Sequence, residues 1–170
     1  MKKFIVMTIF GLMSISCFGQ SLLFMGVDVD QSYISFNRSI SPKLTFDGEG
    51  SSHVAYTGSF AGLSNCHIYV NKSSRNTVSS VSVTCWALDP DVISRMIASY
   101  SEKYGPIYKT YQKSSNNEVV ATYFDYMVGL HMIEIVVDFC SNNSCRMIIK
   151  YIPRGFANEN SNLRVNKSDI

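Results

Sequence analysis

The sequence predicts an α+β protein: two tandem helix-plus-antiparallel-strand repeats forming a sheet with helices on one face. Three observations predict it. The runs from Tyr56 to Cys85 and from Tyr123 to Ile152 superimpose at a constant offset of 67 residues, apolar position on apolar position, with Gly62 falling on Gly129. Each run is preceded by a stretch of helical periodicity and itself alternates apolar and polar residues as half-buried strands do. The four cysteines beyond the first twenty residues fall at positions that give both halves the same strand alignment.

The elements follow in order. Lys2 and Lys3, the apolar run from Phe4 to Met13 and the small residues before Gly19-Gln20 predict a secretory signal peptide over residues 1–20, with an apolar stretch too short to span a bilayer. Cys17, preceded by Ser14-Ile15-Ser16, loosely matches a lipidation motif, so a lipid anchor at Cys17 stands beside ordinary cleavage. The remainder, about 150 residues, suffices for one domain with a real core. That domain is expected over 21–152, with repeat one at 21–88 and repeat two at 89–152, and the Asn-rich stretch 153–170 is expected to be a flexible tail.

In repeat one, Leu22 to Val29 reads as an extended lead-in and Asp30 as the cap of a helix carrying Tyr33, Ile34, Phe36 and Ile40, stopped by Pro42. Strands are expected at Leu44 to Phe46, His53 to Phe60, Cys66 to Val70 and Val78 to Trp86. Repeat two opens with Asp89 as cap, Pro90 at the first helical position and Asp91 at the positive helix end; Gly105-Pro106 closes that helix. Strands at Ile107 to Gln112, Val119 to Met127, Met132 to Phe139 and Arg146 to Ile152 complete it.

Cys140 and Cys145 flank a four-residue turn, which sets them opposite each other in a hairpin; shifted by the repeat offset, the same alignment sets Cys66 opposite Cys85. Disulfides Cys66–Cys85 and Cys140–Cys145 are expected in an exported chain. The alignment also sorts the faces. Cys66, Ile68, Val70, Val81, Val83 and Cys85 should point to the core with Ile133, Ile135, Val137, Ile148 and Ile152. His67, Tyr69, Asn71, Ser80, Ser82 and Thr84 should point outward, with Glu134, Val136, Asp138, Met147, Ile149 and Tyr151.

Phe24-Met25-Gly26-Val27-Asp28-Val29-Asp30, Gly58-Ser59-Phe60-Ala61-Gly62, Cys66 and the span Trp86 to Gly105 resemble a family of small exported gut-bacterial proteins of unknown function. The tandem layout is also similar in topology to the fold of β-lactamase inhibitor protein and of small outer-membrane assembly lipoproteins. That resemblance implies a protein-binding role through an exposed sheet face and carries over no functional residue.

Charges number 15 Lys+Arg against 13 Asp+Glu and are scattered, so no basic stripe for nucleic acid is present. His53, His67 and His131 lie on separate strands or turns without carboxylates at ligand spacing, which reads as surface or edge histidine rather than a metal site, and no cofactor is implied. No nucleophile elbow or Cys-His pairing is legible. Asp28 and Asp30 form a D-x-D of the kind that binds calcium, but no loop of oxygen ligands follows, so Asp30 is read as a helix cap. Tyr69, Trp86 and Tyr151, with His67 and Glu134, sit on or near the expected solvent face and are the candidate binding residues. The expected function is therefore a non-catalytic exported module that binds a protein or envelope component. The alternatives are an envelope-polymer hydrolase using Glu134 and Asp138 and a structural lipoprotein tethered at Cys17. The Asn-x-Ser sequons at Asn37, Asn71, Asn142 and Asn166 matter only in a eukaryotic host.

Overall fold

The computed structural model describes residues 21–116, 118–141 and 144–156, with the backbone alone at 139–141. Residues 1–20, over which a signal peptide and the candidate lipidation site Cys17 are expected, the side chain of Cys140 and everything beyond residue 156 lie outside the described residues. A small hairpin of β1 (Leu23–Phe24) and β2 (Val27–Asp28) leads into helix α1 (Tyr33–Ile40). Strands β3 (Thr45–Glu49), β4 (His53–Phe60), β5 (Leu63–Lys72) and β6 (Val78–Leu88) follow. After helix α2 (Pro90–Tyr104) come β7 (Lys109–Ser115), β8 (Glu118–Val128), β9 (His131–Ser141) and β10 (Ser144–Ile152).

This architecture corrects the expected fold class. The chain is mostly β: one eight-stranded antiparallel sheet in the order β3-β4-β5-β6-β10-β9-β8-β7, a two-stranded hairpin, and two α-helices of 8 and 15 residues among the described residues. It does not form two helix-plus-strand repeats. β6 pairs with β10 across the middle of the sheet, and one hydrophobic core runs from Leu22 through both helices to Tyr151, so neither half has a core of its own. The periodicity of β strands far outweighs that of the two helices, one of which spans barely two turns.

Local chemistry explains the ends of the elements. α2 is held as its residues dictate: the Asp89 carboxylate accepts from the Asp91 amide at 2.8 Å, Pro90 occupies the first turn, and Gly105 turns out at φ 92°. α1 is capped by Ser32, whose hydroxyl accepts from the Ser35 amide at 3.3 Å, and not by Asp30. β4 and β5 are joined by Ala61-Gly62 at φ 50° and 83°, the left-handed pair that a two-residue hairpin requires.

The register of β5 against β6 is the expected one: His67 faces Thr84, Ile68 faces Val83 and Tyr69 faces Ser82. β10 departs from it. At the tip Ser144 faces Ser141, but a bulge before Arg146 advances the pairing by one residue, so that Ile149 faces Ile135 and Tyr151 faces Ile133. A second irregularity between Cys145 and Met147 makes the same adjustment against β6. A one-residue slip exchanges the faces of a strand. Met147, Ile149 and Tyr151 are therefore buried with Ile133 and Ile135, whereas Ile148 and Lys150 go to the other face.

Both helices pack on the face that carries Ile68, Val83, Ile135 and Ile149, all fully buried. Each such side chain contributes about 1.5–3 kcal/mol by burial. Tyrosine hydroxyls tie the helices down: Tyr56 donates to Asn37 Oδ1 at 3.0 Å, Tyr126 donates to the Ile97 carbonyl at 3.1 Å, and the Tyr100 and Tyr151 hydroxyls meet at 2.5 Å. Beyond β10, Pro153 is buried and Phe156 packs on Met132 and Ile152.

Candidate functional site

The sheet face away from the helices is crossed by side chains from all eight strands, and the pairing aligns them in rows. One row runs Tyr111, Tyr123, Val136, Ile148, Thr84 and His67 from β7 to β5. The next runs Lys109, Asp125, Glu134, Lys150, Ser82 and Tyr69. A third brings Asp138 of β9 beside Arg146 of β10.

Sequence-predicted and newly placed residues converge on one cleft of this face. Trp86 is 53% exposed, and the Arg146 guanidinium lies 4.7 Å from its ring centroid. Arg146 is itself fixed: Nε donates to Asp138 Oδ1 at 2.7 Å and Nη2 to Oδ2 at 2.5 Å, a bidentate fork that raises the guanidinium pKa further. Trp86 and Arg146, with His67, Tyr69, Thr84 and Ile148, line an open cleft of about 380 Å³. Tyr69 is braced edge-on by His53, ring centroids 5.8 Å apart, and His67 Nδ1 lies 3.9 Å from Asp47. The result is a half-exposed aromatic platform with a cation and hydrogen-bonding groups at its rim.

His67, Tyr69 and Trp86 are thus brought together. Tyr151 is not: it lies on the helix-covered face, 4% exposed, because the β10 bulge reverses that strand. Burial, and then the neighbouring Tyr100, push its pKa well up. Glu134 is on the open face but has no exposed surface; it accepts from Lys150 Nζ at 3.0 Å and from the Tyr111 hydroxyl at 3.1 Å. Asp125, its partner across the strands, is 6% exposed. Each carboxylate of the pair considered for hydrolysis is held by its own cation, Glu134 by Lys150 and Asp138 by Arg146.

Arg146, Asp138 as its clamp, and the Tyr111–Tyr123 stack at 4.5 Å were not singled out as binding residues by the sequence. The available signal was their alternation on β7 to β10, and on β10, where Arg146 lies, the bulge scrambles it. His131 also departs from expectation. It is buried, with Nδ1 3.0 Å from the Val128 carbonyl and Nε2 2.8 Å from Asp30, whose other oxygen accepts from the Arg154 amide at 3.3 Å. Asp30 is therefore a tie between β9 and the C-terminal turn rather than a helix cap, while Asp28 accepts from the Asp30 amide at 2.9 Å.

On the opposite side a second cavity of about 480 Å³ opens between α2, the β1–β2 turn and the β4–β5 turn, lined among others by Met25, Phe60, Met96, Tyr100 and Tyr104. Cys66 and Cys85 are buried free thiols, and Cys145 is disulfide-bonded. Among the described residues no three His, Cys, Asp or Glu side chains are grouped to hold a metal ion, and no helix is long and apolar enough to cross a membrane.

No protein-family model matches the chain, and no curated protein matches it. Among solved structures it is similar to the crystal structure of a DUF4309 family protein, YjgB, from Bacillus subtilis subsp. subtilis str. 168. The identity is 8% and the TM-score 0.46, covering 81% of this chain and 91% of that one. A likeness of this grade bears on neither activity nor partner.

Proposed function

We propose that the protein is a non-catalytic, exported binding module that takes a protein or envelope component onto the open face of its sheet. The observation that carries this reading is Trp86, half exposed and covered on one side by an arginine whose guanidinium Asp138 holds. An aromatic ring pre-set in this way loses little side-chain entropy when a partner covers it, which is what makes aromatic and arginine side chains effective anchors. Tyr69 and His67 extend the contact across β5, and Ile148 gives it an apolar floor. The basic-then-apolar pattern from Lys2 to Met13, together with the resemblance that Phe24 to Asp30, Gly58 to Gly62, Cys66 and Trp86 to Gly105 carry to small exported gut-bacterial proteins, supports export; intact mass of the secreted protein decides between cleavage and lipidation at Cys17. Carboxylate catalysis finds less support, since Glu134 is fully covered and does not line the cleft.

The test is capture from envelope extract on the immobilised protein, compared with Trp86→Ala and Tyr69→Ala. Each substitution should weaken retention at least about tenfold, roughly 1.4 kcal/mol, while leaving the unfolding midpoint within experimental scatter. Retention unchanged in both variants would remove this face from consideration.

A further inference from the structure

We propose that Cys66 and Cys85 are a covalent modification site: in the exported protein they form an intramolecular disulfide across β5 and β6. The two Sγ atoms are 2.7 Å apart in the free-thiol form, and both side chains are buried. Their backbones are set for it, because continuing the pairing of His67 with Thr84 by one residue puts Cys66 directly opposite Cys85. The place in the fold gives the bond a purpose. The β5–β6 ladder begins at His67–Thr84, and just outside it Asn65 and Ala87 turn into left-handed backbone, φ 56° at both. The cysteines therefore stand at the open end of the hairpin, where the strands part, far from the Lys72–Val78 connection that already holds the other end. A bond there prevents splaying beneath Trp86 and beside the β4–β5 turn.

The chemistry balances with a disulfide as oxidant. One thiolate attacks it and releases a thiol; the second cysteine then attacks the mixed disulfide and releases another, so the pair loses two protons and two electrons to the oxidant. Burial, and then the adjoining Cys66, push the Cys85 thiol far above the thiol range, so Cys85 forms little thiolate once the sheet has closed, and neither buried sulfur is then open to an oxidant. The bond is made before or during folding, and afterwards it is shielded from reductants.

The test uses the full chain, unfolded under reducing conditions and refolded with oxidised glutathione, then denatured in N-ethylmaleimide and mapped by peptide mass. The expected result is a single cross-linked species joining the Cys66 and Cys85 peptides, two hydrogens lighter than their sum. Alkylation at both positions overturns the proposal. As a second readout, unfolding midpoints are compared with and without reductant for this protein and for Cys66→Ala/Cys85→Ala, which keeps the bond at Cys145. The reductant-induced drop should be clearly larger in the unsubstituted protein. An equal drop in the two overturns the proposal, since a pair that serves only as packing responds to no reductant.

Discussion

Ile148 and Ile149 are neighbours on one strand and lie in two different environments. Ile149 is fully buried under the helices, while Ile148 forms part of an open cleft with Trp86 and Arg146. The covered face is stabilised by apolar burial and a few tyrosine hydroxyls. The open face is stabilised by polar matching: Ser, Thr, Asn and His over β4 to β6, and over β7 to β10 a row in which Lys109, Asp125, Glu134 and Lys150 set two carboxylates between two ammonium groups. The contrast teaches that a sheet face need not be apolar to bury its side chains. Glu134 is as inaccessible as Ile135 beside it, and Lys150 and Tyr111 meet its carboxylate there.

The sharpest way to break this comparison is to truncate the two isoleucines. Ile149→Ala should cost about 3–4 kcal/mol by lost burial and the cavity left behind, whereas Ile148→Ala should cost less than about 1 kcal/mol. Denaturant unfolding measures both. Equal losses would mean that the bulge does not set the faces as described and that the open face is as well packed as the covered one.

A smaller effect is expected from the charged row. Lys150→Met leaves the covered Glu134 carboxylate with the Tyr111 hydroxyl but without its cation. Because the lysine is itself partly exposed, 38%, the cost should be about 2 kcal/mol rather than the larger figure for a fully buried pair. Glu134→Gln in the same chain removes the carboxylate that has lost the Lys150 ammonium and should recover at least half of that loss. A Lys150→Met variant as stable as the parent would show that this row contributes nothing to the open face.

What the sequence made legible follows the same divide. The β5–β6 register was readable because Cys66, Ile68, Val70 alternate cleanly with His67, Tyr69, Asn71, so only one face could be core. Asp89-Pro90-Asp91 and Gly105 bounded α2 for equally local reasons. β10 was unreadable: Met147, Ile148, Ile149, Tyr151 and Ile152 offer apolar residues to both faces, and the bulge before Arg146 has no glycine or proline to announce it. That hidden slip misplaced Tyr151 and concealed Arg146, the residue that organises the candidate site. The fold class was misjudged because matching halves suggested separate units, whereas β6 and β10 join them into one sheet with one core. Asp30 was read as a cap because its partners, His131 and Arg154, are over a hundred residues away, beyond any local pattern.

The covered face carries one more contrast, visible only in alkali. Tyr100 and Tyr151 meet through their hydroxyls at 2.5 Å, and burial raises both above the ordinary tyrosine value of 10.0. Below that value folded and unfolded chains both hold these protons, so the pair's contribution is fully present and does not vary with pH. Above it the unfolded chain releases protons that the folded chain keeps, and stability falls as pH rises towards the folded values, by at most about 1.4 kcal/mol per pH unit for each group. Tyr151→Phe should therefore lose about 1 kcal/mol at neutral pH, the worth of one hydrogen bond. It should also decline less steeply above pH 10, because one of the titrating groups is gone. Unfolding free energies of the two proteins should converge as the pH is raised. A constant gap between them would mean that Tyr151 does not titrate with unfolding, and that the hydroxyl pair is not shielded by the helices in the way that separates this face from the open one.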